Sequence, residues 1–143
     1  MARVAATPDE AEHAYYAAQY GPLCEAMFLM MRADGDVDQA ERDVIRGALR
    51  ELDDRVRTAH IDRMIEDAEA AYDRDGAASR VRTVATAMAD DPVQGEVAFV
   101  LAAAVAFADS RIAPEENTLL NDMAEALGID DARSEELMRL LVR

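Results

Sequence analysis

Ala33-Asp34-Gly35-Asp36-Val37-Asp38-Gln39-Ala40-Glu41 and Ala108-Asp109-Ser110-Arg111-Ile112-Ala113-Pro114-Glu115-Glu116 are two versions of one pattern, set 75 positions apart. At the same offset Ile45 falls on Leu120 and Leu52 on Leu127. Each copy reads as an apolar helix ending at an Asp, a short turn with a β-branched residue, and an amphipathic helix whose third residue is Glu. The register of small, acidic and apolar positions predicts an internal duplication of a helix, acidic turn, helix unit.

Working outward, the apolar and capping signals predict an all-α chain of about seven to eight helices. Thr7-Pro8-Asp9-Glu10 opens the first: a hydroxyl at the cap, Pro at the first helical position and Glu able to reach back to the cap. Gly21-Pro22 is expected to break it. A second helix over about 22–33 carries Leu23, Met27, Phe28, Met30 and Met31, is apolar on nearly every side and belongs in the core. Asp38 and Glu41 form a further capping box before a helix with Ile45, Ala48, Leu49 and Leu52 on one face.

Further helices are expected over about 56–72 and 78–89, the former closed by Gly76 and carrying Ile61, Met64, Ile65 and Ala68 inward. The next runs from Pro92 through Ala108, with Asp91 as its cap. One from Pro114 turns Leu119, Leu120, Met123 and Leu127 inward and ends at Gly128. The last, from about Asp131, carries Leu137, Met138, Leu140 and Leu141. No linker-like segment divides them, so residues 1–143 read as one compact bundle.

Composition narrows the function. The 143 residues include 30 acidic and 15 basic side chains, a formal net charge of −15. Such a surface repels the phosphates that a nucleic-acid binder must neutralise. Cys24 is the single cysteine, so neither a disulfide nor a thiolate zinc site can form within one chain, and it reads as a buried small hydrophobe. The longest apolar run, residues 97–108, is too short for a membrane span, which needs about 20 residues. The first residues lack the apolar region of a secretion signal. A cytoplasmic protein is the expectation.

The pattern Ala-Asp-Gly-x-(Val/Ile)-x-x-x-Glu, repeated and followed by Leu127-Gly128-Ile129, resembles the tellurite-resistance TerB and TerB-like family over nearly the whole chain. That resemblance implies an all-helical fold and divalent-metal binding at the repeated acids. Here these are Asp34 and Glu41 in the first copy and Asp109 and Glu116 in the second. It also implies a stress-linked, non-enzymatic role beside membrane-bound protein partners, while the short apolar runs of this chain predict no membrane insertion.

Read from the residues alone, Asp34, Asp36, Asp38 and Glu41 place four carboxylates within eight positions, the density that calcium, magnesium or manganese needs. The loop is no EF-hand: counted from Asp34, the sixth position is Gln39 and the twelfth Ile45. Asp38 and Glu41 are equally accounted for by capping, and Glu116 by the start of its own helix. The alternative to a metal-binding domain is a helical interaction or dimerisation module using an apolar face such as that of the last helix. Two catalytic look-alikes are set aside. The Glu10-x-x-His13 spacing lacks the second copy that a di-iron site needs, leaving His13 as a surface residue. The Arg55-x4-His60 spacing sits on what reads as an ordinary helix surface.

Overall fold

The computed structural model describes residues 7–33, 35–108 and 113–141. Among them are seven helices and no strand: α1 (Pro8–Arg32), α2 (Gln39–Leu52), α3 (Thr58–Asp75), α4 (Ala77–Ala87), α5 (Pro92–Ala106), α6 (Pro114–Ala126) and α7 (Asp131–Arg139). None is long and apolar enough to cross a membrane.

The expected break at Gly21-Pro22 does not occur, and α1 runs through both residues. The reason is burial. Every residue from Leu23 to Met31 is buried, because α1 lies at the centre, packed chiefly against α5 and α3 and touched also by α2, α4 and α6. An interior Pro costs about 3 kcal/mol. Burying one Leu, Met or Phe side chain returns about 1.5–3 kcal/mol, so several outweigh it. Near the kink-prone residue, the Gln94 side-chain amide of α5 donates to the Gln19 carbonyl at 3.3 Å.

Both capping boxes form. Thr7 Oγ1 accepts the Glu10 amide and Glu10 Oε1 the Thr7 amide, each at 3.1 Å. Asp38 Oδ1 accepts the Glu41 amide at 2.8 Å while Glu41 Oε1 accepts the Asp38 amide at 3.1 Å. At the corresponding start of α6, Glu116 accepts the Ala113 amide at 3.0 Å. Asp34 of the first turn and residues 109–112 of the second lie outside the described residues, so what the two expected copies share on the page is the bond from a Glu carboxylate back to the cap amide at the starts of α2 and α6.

Two further expectations are corrected. Leu52 is 45% exposed, since α2 ends on it and Asp53 turns the chain away in an extended conformation. Leu140, past the end of α7, is 56% exposed. The helix expected from Val56 begins at Thr58 because Asp53 gathers the connection first. Its carboxylate accepts the Arg55 amide at 3.0 Å, a bidentate Arg55 guanidinium at 2.9 Å, and the Tyr20 hydroxyl of α1 at 2.8 Å. These bonds, those from Arg55 foremost, hold the Asp53 carboxyl well below the usual carboxylate range. Elsewhere Arg80 of α4 grips the buried Glu25 of α1 at 2.6 and 2.9 Å, and Arg133 of α7 grips Glu96 of α5 at 2.7 Å.

A continuous α1 makes a direct prediction. A Cβ at Gly21 meets nothing within 4 Å, so Gly21→Ala raises stability by roughly 0.5–1 kcal/mol. Gly76, at φ 81° and ψ 165° between α3 and α4, occupies a region essentially reserved for Gly, and Gly76→Ala lowers stability by roughly 1–3 kcal/mol. Thermal melts check both; a lower melting temperature for Gly21→Ala contradicts the unbroken helix.

Candidate functional site

The N-terminal half of α1 and the first turn of α3 bring together the groups that composition made scarce, both histidines of the chain. Asp9, His13, Tyr16 and Tyr20 recur at three- and four-residue spacing along α1, and the stripe His13, Tyr16 and Tyr20 faces the bundle. His13 is 6% and His60 3% exposed. Their expected surface positions are therefore corrected: each continues an inward stripe, His13 toward Tyr16, and His60 beside Ile61 and Met64.

The two rings lie 5.2 Å apart between centroids, with Nδ1 to Nδ1 at 3.1 Å. His60 Nε2 is 2.7 Å from Glu12 Oε1. Because a carboxylate only accepts, His60 Nε2 carries the proton toward Glu12, and its Nδ1 then accepts from His13 Nδ1–H. One proton can lie between the two Nδ1 atoms; a second makes both donors and breaks the bond.

Arg57, the N-cap residue of α3, closes the cluster. Its Nε donates to Glu12 Oε1 at 3.0 Å and its Nη2 lies 2.9 Å from the same oxygen. Nη2 also donates to Asp9 Oδ1 and sits 3.1 Å from His60 Nε2. The hydrogen bond from His60, helped by the Arg57 charge, lowers the Glu12 carboxyl below its ordinary range. Burial above all, with the charges of Arg63 and His60, lowers the His13 imidazole, against the pull of Asp67 and Asp9.

Ligand atoms of Asp9, Glu12 and His60 lie within 4.8 Å of one another, and this is the one such grouping of three among the described residues that can hold a metal ion. The predicted ligands are distributed differently. Asp36 is exposed at the turn. Asp38 and Glu41 each commit one oxygen to the α2 cap. Glu116 is buried at the start of α6. Asp34 and Asp109 lie outside the described residues.

The other candidates have ordinary explanations. Glu10 serves the α1 cap, so the Glu10-x-x-His13 pair is divided. Arg55 belongs to Asp53 and His60 to Glu12 and His13, which divides Arg55-x4-His60. Cys24 is fully buried, with its thiol pushed up to about 12 by that burial, and is unreactive. A cleft of about 260 Å³ between α1, α3 and α4, lined by Gly21, Pro22, Met64 and Val84, has its Glu25 and Arg80 charges paired with each other.

The cluster is hidden in the sequence because His13 and His60 fall in separate motifs, 47 positions apart. The usable signal was the recurrence of His13, Tyr16 and Tyr20 at three- and four-residue spacing, which turns His13 inward.

His13 sets a pH dependence. With the folded-state pKa of His13 below its ordinary value of about 6.5, the unfolded chain binds more protons in that interval, and stability falls as pH falls through 6.5 toward the folded value. Glu12 loses its contribution only at lower pH, through its own depressed value. Melting temperature measured across this range declines in the wild type, and His13→Gln flattens the upper step. An unchanged profile in His13→Gln contradicts the assignment.

Residues 23–139 match the family model described as Tellurite resistance protein TerB. No curated protein and no solved structure matches the chain. The match begins at Leu23, so Asp9, Glu12 and His13 lie before it, while Arg57 and His60 lie within it.

Proposed function

Since the chain belongs to the family of tellurite resistance protein TerB, matched over residues 23–139, we propose that it is a non-enzymatic helical module whose divalent metal ion sits between Asp9, Glu12 and His60. The observation that carries this reading is the convergence of their ligand atoms within 4.8 Å. Two carboxylates and one imidazole form a donor set for a divalent ion, and the buried His60 fixes its position. Partners, in this reading, are proteins, soluble or membrane-bound, and the setting is cytoplasmic. The link to tellurite resistance or another stress response is a proposal from the family description alone.

A second reading places a hard cation, calcium, magnesium or manganese, at the first acidic turn through Asp34, Asp36, Asp38 and Glu41. In its favour, Asp38 and Glu41 use one carboxylate oxygen each in the α2 cap, leaving the second oxygens for a cation. Asp109 and Glu116 would form the corresponding site of the second copy.

Calorimetric titration with manganese, zinc and calcium, alongside melting curves, separates these readings. At an ion concentration 100-fold above Kd, binding to the folded state adds about 2.7 kcal/mol of stability. Heat and a raised melting temperature, both lost in Glu12→Gln and kept in Asp34→Asn, support the histidine site. The reverse pattern assigns the ion to the turn. No heat with any of the three ions contradicts a metal-binding role.

A further inference from the structure

We infer that Arg57 is a resident counter-cation that gates the α1–α3 site, and that the ion able to replace it is a first-row transition dication of borderline softness such as zinc. This rests on the reading of Asp9, Glu12 and His60 as the metal ligands. The Arg57 Nη2 atom occupies the point on which those ligands converge: 2.9 Å from Glu12 Oε1, 3.1 Å from His60 Nε2 and hydrogen-bonded to Asp9 Oδ1. Guanidinium and metal are thus alternative occupants of one place. Arg57 offsets one of the two carboxylates it touches; a dication cancels both.

Arg57 is built to leave. Its backbone is held, the carbonyl accepting the His60 and Ile61 amides at 3.0 and 3.2 Å, so α3 keeps its first turn whatever the side chain does. The side chain makes no cap bond and is 57% exposed, with water on its open side. Ion pairs this exposed are individually weak. An entering ion would draw its ligands to about 2.0–2.2 Å.

The buried histidine pair accommodates the exchange. For His60 Nε2 to ligate, its proton must go; the pair can answer by exchanging tautomers, with His60 Nδ1–H donating to His13 Nδ1 and His13 carrying its proton on Nε2. The number of protons is unchanged, and a ligand imidazole oriented through its second nitrogen is the usual arrangement around a protein-bound metal. One imidazole with two carboxylates suits zinc, cobalt, nickel or manganese better than calcium, which takes six to eight oxygens.

The test is titration of the full chain with zinc chloride, for the wild type, Arg57→Gln, Arg57→Lys and Arg57→Gln combined with Glu12→Gln. Removing the competing cation should tighten zinc binding roughly tenfold in Arg57→Gln. Arg57→Lys, which keeps the charge, should stay nearer the wild type, and adding Glu12→Gln should abolish the gain. If Arg57→Gln binds no tighter while Glu12→Gln alone still removes wild-type binding, the gate is overturned and the metal site stands. Zinc bound by neither the wild type nor Arg57→Gln overturns both. Should Arg57→Gln not fold, the unmodified chain answers by NMR. Saturating zinc moves the Arg57 Nε–H resonance to that of a solvated arginine, and an unmoved resonance overturns the gate.

Discussion

Burial of Leu23 to Met31 on every side of α1 is the constraint from which the rest of the structure follows. A segment so enclosed has no solvent face, so its neighbours α2 to α6 must surround it. They hold it as helix through a Pro that would end a more exposed one. The same rigidity extends outward. Because α1 does not break at Gly21, Glu12 is carried about 17 Å along one axis from Leu23, at 1.5 Å per residue. A broken helix would leave the N-terminal segment to find its own place, whereas the continuous one sets Asp9, Glu12 and His13 over the first turn of α3.

What meets there is an electrostatic problem with a local solution. The chain carries twice as many acidic as basic side chains, and the buried carboxylates Glu25 and Asp53 are matched by cationic or hydroxyl partners: Glu25 with Arg80, Asp53 with Arg55 and the Tyr20 hydroxyl. At Asp9 and Glu12 the match is Arg57, in an exposed position where the same two acids also face a buried imidazole. The first two arrangements tie helices and turns together. The third differs in having a donor set that a metal ion can use and a counter-cation with water on its open side.

The helices were legible wherever local signals agreed: the Thr7 and Asp38 boxes, Pro at the start of α1, α5 and α6, and the positive-φ glycines Gly76 and Gly128 past the ends of α3 and α6. Local reading failed at Gly21-Pro22, where long-range burial overrides a breaker, and at Leu52, where a helix end leaves the face that periodicity assigns. The candidate site was illegible for a related reason. His13 and His60 are 47 positions apart, and only the packing of α1 on α3 puts their rings together. The acidic turns were conspicuous because their residues adjoin in sequence, yet adjacency is also what capping requires, and Asp38 and Glu41 are used for it. Family membership is carried by residues 23–139, whereas Asp9, Glu12 and His13 of the α1–α3 cluster precede that span.

A crystal grown with zinc and measured at the zinc absorption edge addresses the central claim most directly. A metal held at the α1–α3 site gives an anomalous peak bonded to Asp9, Glu12 and His60 Nε2, with His13 behind His60 and the Arg57 side chain turned into solvent. A peak confined to the turn of Asp34 to Glu41, with Arg57 still hydrogen-bonded to Asp9 and Glu12, would contradict it.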